Sequence, residues 1–260
     1  MLLKYDIRTQ FIRRIELLGM VILERGKHSI GDFANVFGVD EESIKKDLSF
    51  LRSLGISIHQ VRSRGIQLNQ APTVELLAGL LHQYLAFTRI ETEGERSVLR
   101  VLHKSPFNTY GMIVCLQRAV REVKKVKIQY KPSGAKTEKS YRIEPLLLFE
   151  REEIWRLLAG VDGTLEQFIV AKISDVEQLN EKFKRPPKSE IDSVFQQSWN
   201  TWIGKDRLPV KLKLSEYWAD RFTTHPIVKG QKIYKNDSGE FIMEATVNSM
   251  MELARWIVAR

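Results

Sequence analysis

The chain has 260 residues and a formal net charge of +9, with 41 Lys and Arg against 32 Asp and Glu. Its 43% hydrophobic content is ordinary for a globular protein, and its length fits two or three domains. The single cysteine excludes an internal disulfide, and the five scattered histidines form no zinc-ligand pattern. The apolar runs are too short to cross a bilayer, and no signal-peptide core follows Met1. We therefore expect a cytoplasmic protein without cofactor, metal or membrane.

The positive charge is concentrated in one part of the chain. Residues 96–142 hold 12 Lys and Arg against 2 Asp and Glu, whereas residues 143–184 hold 5 against 9. A basic stretch favours a polyanionic partner, because lysine and arginine neutralise phosphates. The alternative is an ordinary solvated helix face followed by lysine-rich strands.

Residues 1–70 show three helical patterns and then two short alternating segments. The apolar spacing predicts a first helix from about Asp6 to Glu24. Ser29 and Asp40 are suited to cap the next two helices, which Gly38 and Gly55 would end. Alternating residues on both sides of a basic tip, Arg62–Arg64, then predict a two-stranded wing. This order predicts a winged helix-turn-helix domain.

The third helix is the candidate reading head for duplex DNA. Ile44, Leu48 and Leu51 share its inward face, and the candidate DNA contacts of helix and wing are Ser43, Lys45, Lys46, Ser49, Arg52, Arg62 and Arg64. The helix begins Asp40-Glu41-Glu42, which repels phosphate. Acidic residues also suit a helix N-terminus for structural reasons. The alternative is therefore a winged helix kept only for packing or dimerisation.

Residues 71–125 form a predicted helical connector. Thr73 can cap a helix whose apolar side carries Leu76, Leu77, Leu80, Leu81, Tyr84 and Leu85. A short helix around Val98–Leu102 would end at Ser105-Pro106, and another would run from about Tyr110 to Val123. The apolar faces serve either packing within the chain or a homodimer. We expect a homodimer, since winged-helix proteins usually bind two symmetric half-sites.

Residues 126–184 alternate as strands. The Asp162-Gly163 dipeptide is a strong hairpin signal, and the predicted strands are Val126–Tyr130, Thr137–Ile143, Leu146–Phe149, Ile154–Ala159, Gln167–Ile173 and a short Val176–Leu179. Such closely spaced antiparallel strands favour a small, strongly bent five-stranded barrel.

Three of these stretches, Arg142–Leu146, Ile154–Ala159 and Phe168–Ile173, resemble the WYL domain of bacterial transcriptional regulators. Ile30–Leu68 is similar to the N-terminal winged-helix domain of the same family. The resemblance implies an α+β fold with an Sm-like barrel. It also implies DNA binding controlled by a nucleic-acid-like or other anionic effector.

Carried over by position, the effector-binding candidates are Tyr130, Arg142, Trp155, Arg156 and Lys172. The family's Trp-Tyr-Leu triplet here reads Trp-Arg-Leu, because Arg156 replaces the tyrosine. Ile169 and Lys172 stand where the family tends to have arginines. These departures leave two interpretations, a working pocket and a purely structural barrel. Strand alternation predicts that Trp155 points inward and that Arg142 and Arg156 point outward.

Residues 190–260 follow the stiff Pro186-Pro187 linker. Phe195, Trp199 and Trp202 would pack as a bridge. The order strand, helix, strand, strand, helix resembles the ferredoxin-like C-terminal extension (WCX domain) of the same family, and Ser249 with Glu252 predicts a capping box. The final strand of that fold is missing, so we expect an incomplete unit.

The leading interpretation is a non-enzymatic, ligand-responsive transcriptional regulator that binds double-stranded DNA. The alternative is a nucleic-acid-binding adaptor that holds single strands on its basic connector and barrel, with an inert winged helix. No catalytic triad, phosphate-binding glycine loop or paired catalytic carboxylates support an enzyme.

Overall fold

The computed structural model describes residues 2–24, 26–62, 64–90, 95–103, 105–151, 153–191, 207–228, 230–247 and 249–258. The chain divides into two units, Met1–Phe183 and Lys184–Arg260. Helices and antiparallel sheets occupy separate stretches, which confirms the predicted α+β class. Among the described helices, none is long and apolar enough to cross a membrane.

The first part of unit one is mostly helical. A two-stranded antiparallel hairpin, β1–β2, interrupts the helices, and the elements are α1 (Leu2–Leu23), α2 (Ile30–Phe37), α3 (Glu41–Ser53), β1 (Ile58–Val61), β2 (Gly65–Leu68), α4 (Val74–Phe87), α5 (Glu95–Leu102) and α6 (Pro106–Glu122). Helix α5 ends before Ser105-Pro106, as predicted, but α6 begins at Pro106 and not at about Tyr110. In the first turn of a helix, the N–H that proline lacks would have no partner anyway.

The second part of unit one is a five-stranded antiparallel sheet in the order β6-β5-β4-β3-β7. Its strands are β3 (Lys124–Tyr130), β4 (Lys139–Arg151), β5 (Ile154–Val161), β6 (Thr164–Ile169) and β7 (Ile173–Lys182). One long strand, β4, replaces two predicted ones, because a register shift between Pro145 and Leu147 lets pairing with β5 continue past the proline. A 3₁₀ turn, Val170–Lys172, splits the predicted Gln167–Ile173 strand. Closure into an Sm-like barrel stays a prediction.

Helix α6 lies between α1 and the sheet. Two glycines allow the close contact of α1 with α6. A Cβ added at Gly19 would lie 2.7 Å from Val114 Cγ1, and one at Gly111 would lie 2.6 Å from Leu23 Cγ. Both distances are far below van der Waals contact, so this packing requires glycine. Helix α1 is therefore held closely against the element that supports the sheet.

The apolar face of α4 is used within the chain. Leu77, Leu81, Tyr84 and Leu85 have no exposed surface, and Leu80 is 6% exposed. This is the intramolecular alternative that the sequence left open. The face that motivated a homodimer is already covered, so the dimer prediction now rests on half-site symmetry alone.

The second unit contains a three-stranded antiparallel sheet in the order β8-β10-β9. Its core includes Phe222, Met243, Val247 and Leu253, and its elements are β8 (Leu208–Leu214), α7 (Glu216–Thr224), β9 (Lys232–Lys235), β10 (Phe241–Val247) and α8 (Met250–Val258). The predicted order of elements is therefore present. The predicted bridge of Phe195, Trp199 and Trp202, and the side chain of Glu252, lie outside the described residues.

Candidate nucleic-acid interface and sheet site

The turn between α2 and α3 is fixed by local signals. Ser29 caps α2 through a reciprocal box with Asp32, whose Oδ2 accepts a hydrogen bond from Ser29 N at 2.8 Å. Gly38 ends α2 with φ of 64°, in the left-handed region that favours glycine. Asp40 then caps α3, where its Oδ1 accepts from Ser43 N at 2.6 Å. These caps set the angle at which α3 follows α2.

The acidic start of α3 has local structural roles. The backbone hydrogen bond from Ser43 lowers the pKa of Asp40, so this carboxylate is a charged cap. Glu42 Oε2 lies 3.7 Å from Lys45 Nζ in the next turn. Glu41 is exposed. The carboxylates therefore stabilise the helix and partly neutralise one of the lysines predicted to bind DNA.

The inward and outward faces of α3 lie as the spacing predicts. Ile44, Leu48 and Leu51 are buried, whereas the exposed candidates are Lys45, Lys46, Ser49 and Arg52. Ser43 is half-buried, and its N–H is used by the Asp40 cap. Arg52 Nε donates to Ile58 O at 2.9 Å, so this guanidinium also holds α3 to β1.

One buried acid on α3 was not found by sequence reasoning. Asp47 is fully buried, and its carboxylate accepts from Arg13 Nε at 2.5 Å and from Arg14 Nε at 2.8 Å. The Arg14 guanidinium also lies 4.1 Å from the centre of the Phe50 ring. The available signal was an acid at an inward helix position together with an Arg-Arg pair on α1. This clamp fixes α3 against α1.

The β1–β2 hairpin packs against the segment that precedes α2. Ile66 N donates to His28 O at 2.7 Å, and a Cβ at Gly65 would lie 2.5 Å from that same oxygen. Arg62 and Arg64 are exposed at the hairpin tip. The hairpin is thus anchored at its base and presents basic side chains at its far end.

A second charged cluster joins α1 to α4 and α6. Glu16 is 3% exposed, accepts from Tyr84 Oη at 2.9 Å and pairs with Arg121. Burial raises the pKa of Glu16, while Arg121 and Arg118 oppose that rise. Burial also raises the pKa of Glu122, but hydrogen bonds from Arg118, Lys124 and Gln178 bring the pKa below its ordinary value. Charged contacts therefore continue from α1 to the sheet.

Two of the predicted effector residues are core side chains. Trp155 is 2% exposed, and its Nε1 donates to Ser97 Oγ of α5 at 3.1 Å. Tyr130 is 9% exposed and packs edge-on against Phe168, with ring centres 5.0 Å apart. Neither aromatic face is open for stacking on a base in this arrangement.

The three predicted cationic residues lie in different places. Arg142 is 55% exposed and pairs with Glu181 of β7. It lies opposite Lys127, whereas Arg156 lies opposite Phe149, seven residues further along β4. Arg156 is half-buried, on the opposite face of β5 from Trp155. The structure therefore does not bring Arg142 and Arg156 together as cross-strand neighbours.

Lys172 lines an open cavity of about 400 Å³ between the β3–β4 turn and the 3₁₀ turn. Lys131 lines the same cavity, and Lys172 Nζ contacts Ser133 Oγ. Glu138 accepts from Ser174 Oγ at 2.9 Å. Within the described part of the chain, no three His, Cys, Asp or Glu side chains are grouped to hold a metal ion.

Residues 113–178 match the family model of the WYL domain. The match begins within α6 and ends within β7, so it covers most of the sheet and part of the helix that packs on it. This result supports the resemblance of these strands to the WYL domain. The match says nothing about residues outside 113–178.

No curated protein matches this chain. Among solved structures, proteasome accessory factor B/C (PafBC) of Arthrobacter aurescens is 15% identical, with a TM-score of 0.29 over 93% of this chain and 43% of that one. A CRISPR Cas-related protein is 10% identical, with a TM-score of 0.31 over 91% of this chain and 74% of that one. The chain thus spans less than half the length of the PafBC chain.

Proposed function

We propose that this chain is a DNA-binding transcriptional regulator and that α3 enters the major groove of duplex DNA. The observation that carries the proposal is the outward strip of Lys45, Lys46 and Ser49 on a helix whose inward side is clamped through Asp47. A reading helix must be rigid on one side and polar on the other. In this proposal α1–α3 and β1–β2 form a winged helix-turn-helix.

The hairpin supplies the flanking contacts in this arrangement. Arg62 and Arg64 stand at the end of an anchored β-ribbon, where guanidiniums reach phosphates or a minor groove. Such contacts position the protein on the duplex and supply sequence-independent affinity. Base recognition then falls to the strip on α3.

The WYL-type sheet provides the effector response in this proposal. The cavity lined by Lys131 and Lys172 favours an anionic group, such as the phosphate of a nucleotide or of a short single strand. Arg142 and Arg156 offer further cationic surface, while Trp155 and Tyr130 maintain the packing beneath. We propose no enzymatic step for the chain.

A second candidate function is a single-strand-binding adaptor, which the exposed Glu41 and Glu42 at the start of α3 favour. The two candidates differ in the nucleic acid that is bound and in the surface that binds it. An adaptor would prefer single strands and would not depend on the lysines of α3.

The test is fluorescence anisotropy with labelled duplex and single-stranded DNA over a range of salt concentrations. We expect wild type to prefer duplex. We expect Lys45→Ala with Lys46→Ala to weaken binding and to reduce the log–log salt slope by about one for each lost phosphate contact.

The matched control is Lys184→Ala with Lys188→Ala, which removes the same charge from two exposed positions that belong neither to α3 nor to the β1–β2 hairpin. This control should keep the salt slope of wild type. An equal effect of the two double variants would show that only total charge matters. A preference for single strands that survives loss of Lys45 and Lys46 would favour the adaptor.

A further inference from the structure

A cavity of about 320 Å³ lies between α1, α2, α6 and strands β3 and β7, and it is called the α1–α6 cavity below. Its apolar side includes Met20, Leu23, Val36 and Val114, and Arg118 and Lys124 supply positive charge. It is separate from the Lys131–Lys172 cavity of the sheet, with which it shares no lining residue. Its volume is at the lower end of the range for small-molecule sites.

Arg118 lines this cavity, and one of its hydrogen-bond acceptors is a thioether. The residue is 6% exposed. Among the described residues, its hydrogen-bond acceptors are Glu122 Oε1 at 2.7 Å and the Met20 sulfur at 2.8 Å, while Glu16 Oε2 is 3.9 Å from Nε. A guanidinium has five N–H donors and a thioether is a weak acceptor. The buried fork therefore retains capacity for a better acceptor.

The nearby carboxylates are already used by other groups. Glu16 accepts from Tyr84 and pairs with Arg121. Glu122 also accepts from Gln178 Nε2 at 2.8 Å and lies 3.0 Å from Lys124 Nζ. Glu24, at the rim, is 3.0 Å from His28 Nε2. An incoming anion would thus meet Arg118 and Lys124, which share the carboxylate of Glu122 as a partner.

We propose that the α1–α6 cavity binds a small anion with an apolar body, a carboxylate or phosphate monoester of metabolite size. The anionic group would meet the Arg118 fork, which suits planar or tetrahedral oxyanions, with Lys124 as a second charge. The apolar body lies against Met20, Leu23, Val36 and Val114. The small volume excludes an oligonucleotide.

Occupancy of this cavity would act on the proposed DNA-reading unit, and this part rests on the proposed function. The Arg118 guanidinium lies 5.0 Å from the centre of the Phe37 ring, at the end of α2. Val36 of α2 is part of the cavity wall. An anion that draws Arg118 towards itself changes the contact that holds α2 to α6, and α3 follows α2 through the Gly38 turn.

The binding test is isothermal titration calorimetry of the full chain without DNA, with hexanoate and phenyl phosphate as probes. Inorganic phosphate is the control for an anion without a body, and hexylamine is the control for a body with the opposite charge. We expect saturable binding of at least one probe and at least about tenfold weaker binding of both controls.

Two variants locate the site. Val36→Trp enlarges a wall residue of the cavity and is designed to block it without removing its charges, and Arg118→Lys keeps the charge but removes the fork. Each should weaken probe binding at least about tenfold. Asn35→Trp adds the same side chain at the neighbouring exposed position, which does not line the cavity, and should bind like wild type.

Three outcomes overturn the proposed site: no binding of either probe to wild type at millimolar concentration, binding that both variants retain, or equal binding of hexylamine. The regulatory part is tested separately, by duplex DNA affinity with and without saturating probe. If saturating probe leaves the DNA affinity unchanged, the proposed effect of the cavity on DNA binding is wrong. If wild type binds no DNA, the proposed function fails and the cavity is judged by calorimetry alone.

Discussion

At the scale of single residues, the contact that matters most to the candidate interface is the clamp on Asp47. Its carboxylate is fully buried between Arg13 and Arg14, so α3 cannot move from α1 without exposing an ion pair. Loss of one partner from a buried pair leaves the other charges without compensation. The clamp is therefore a stability feature that also orients the proposed reading helix.

We predict that Asp47→Ala lowers the free energy of unfolding by about 3 kcal/mol, towards the lower end for a buried pair because both arginines retain some exposure. Urea denaturation followed by circular dichroism measures this change. Glu41→Ala is the control, since it removes an exposed acid from the same helix. A similar small loss in both variants would mean that the clamp contributes little.

The cap on α3 gives a prediction that depends on pH. The pKa of Asp40 is lower in the folded chain than its ordinary value, so the folded state binds this proton less readily than the unfolded state. The charged cap therefore stabilises the fold above the ordinary Asp pKa, and that contribution disappears as pH falls through the lowered folded value. Asp40→Ala should lower the denaturation midpoint at pH 7, and the difference from wild type should shrink in acid.

Asp40→Ser separates charge from hydrogen bonding in this experiment. Serine also caps a helix but does not titrate. Its difference from wild type should depend on pH, whereas its difference from Asp40→Ala should not. A constant gap between wild type and Asp40→Ala down to pH 2 would contradict the assignment of a charged cap.

At the scale of elements, the position of the β1–β2 hairpin depends on one glycine. Gly65 has φ of 69°, and an added Cβ would lie 2.5 Å from His28 O. Gly134 has φ of 79° with nothing within 4 Å of an added Cβ. Both positions therefore require a left-handed backbone, but only at Gly65 does a neighbouring backbone atom leave no room for a Cβ.

We predict that Gly134→Ala costs about 1 kcal/mol of unfolding free energy, from the left-handed backbone alone. Gly65→Ala should cost more and should also weaken duplex DNA binding, because the hairpin must move away from His28. Thermal denaturation and anisotropy provide the two measurements. Equal costs for the two substitutions would show that the hairpin adapts without strain.

The sequence predicts elements well where local chemistry determines them. Ser29, Asp40 and Thr73 cap the helices that they were expected to cap. The Asp162-Gly163 turn has positive φ at both positions, as its hairpin requires. Helix α5 ends before Ser105-Pro106, as predicted, but the start of α6 at Pro106 was missed, because proline also suits the first turn of a helix.

Contacts between distant parts of the chain were not predictable from periodicity. Asp47 meets arginines more than thirty residues away. Tyr130 and Arg142 follow the predicted alternation, but alternation cannot show that Tyr130 packs against Phe168 or that Arg142 meets Glu181. For this reason the faces of α3 were predicted correctly, whereas the effector residues were grouped into a site that the structure divides.

At the scale of the whole molecule, the oligomeric state follows from the proposed function rather than from an exposed helix face. The apolar side of α4 is buried within the chain. A symmetric operator would still require two copies of α3 about one helical turn apart. We predict a homodimer on DNA.

Sedimentation equilibrium of the free protein and of its duplex complex tests this prediction. A complex with two chains per duplex is the expected result. One chain per duplex at tens of micromolar protein would contradict it, and recognition of a single half-site would then follow.

The crossing of α1 over α6 also limits how this sequence can diverge. Position 19 has no room for a side chain while position 114 holds valine, and position 111 has none while position 23 holds leucine. A larger residue at 19 is therefore tolerated only with a smaller one at 114, and the same holds for 111 and 23. Among descendants of this gene, these two pairs should change together.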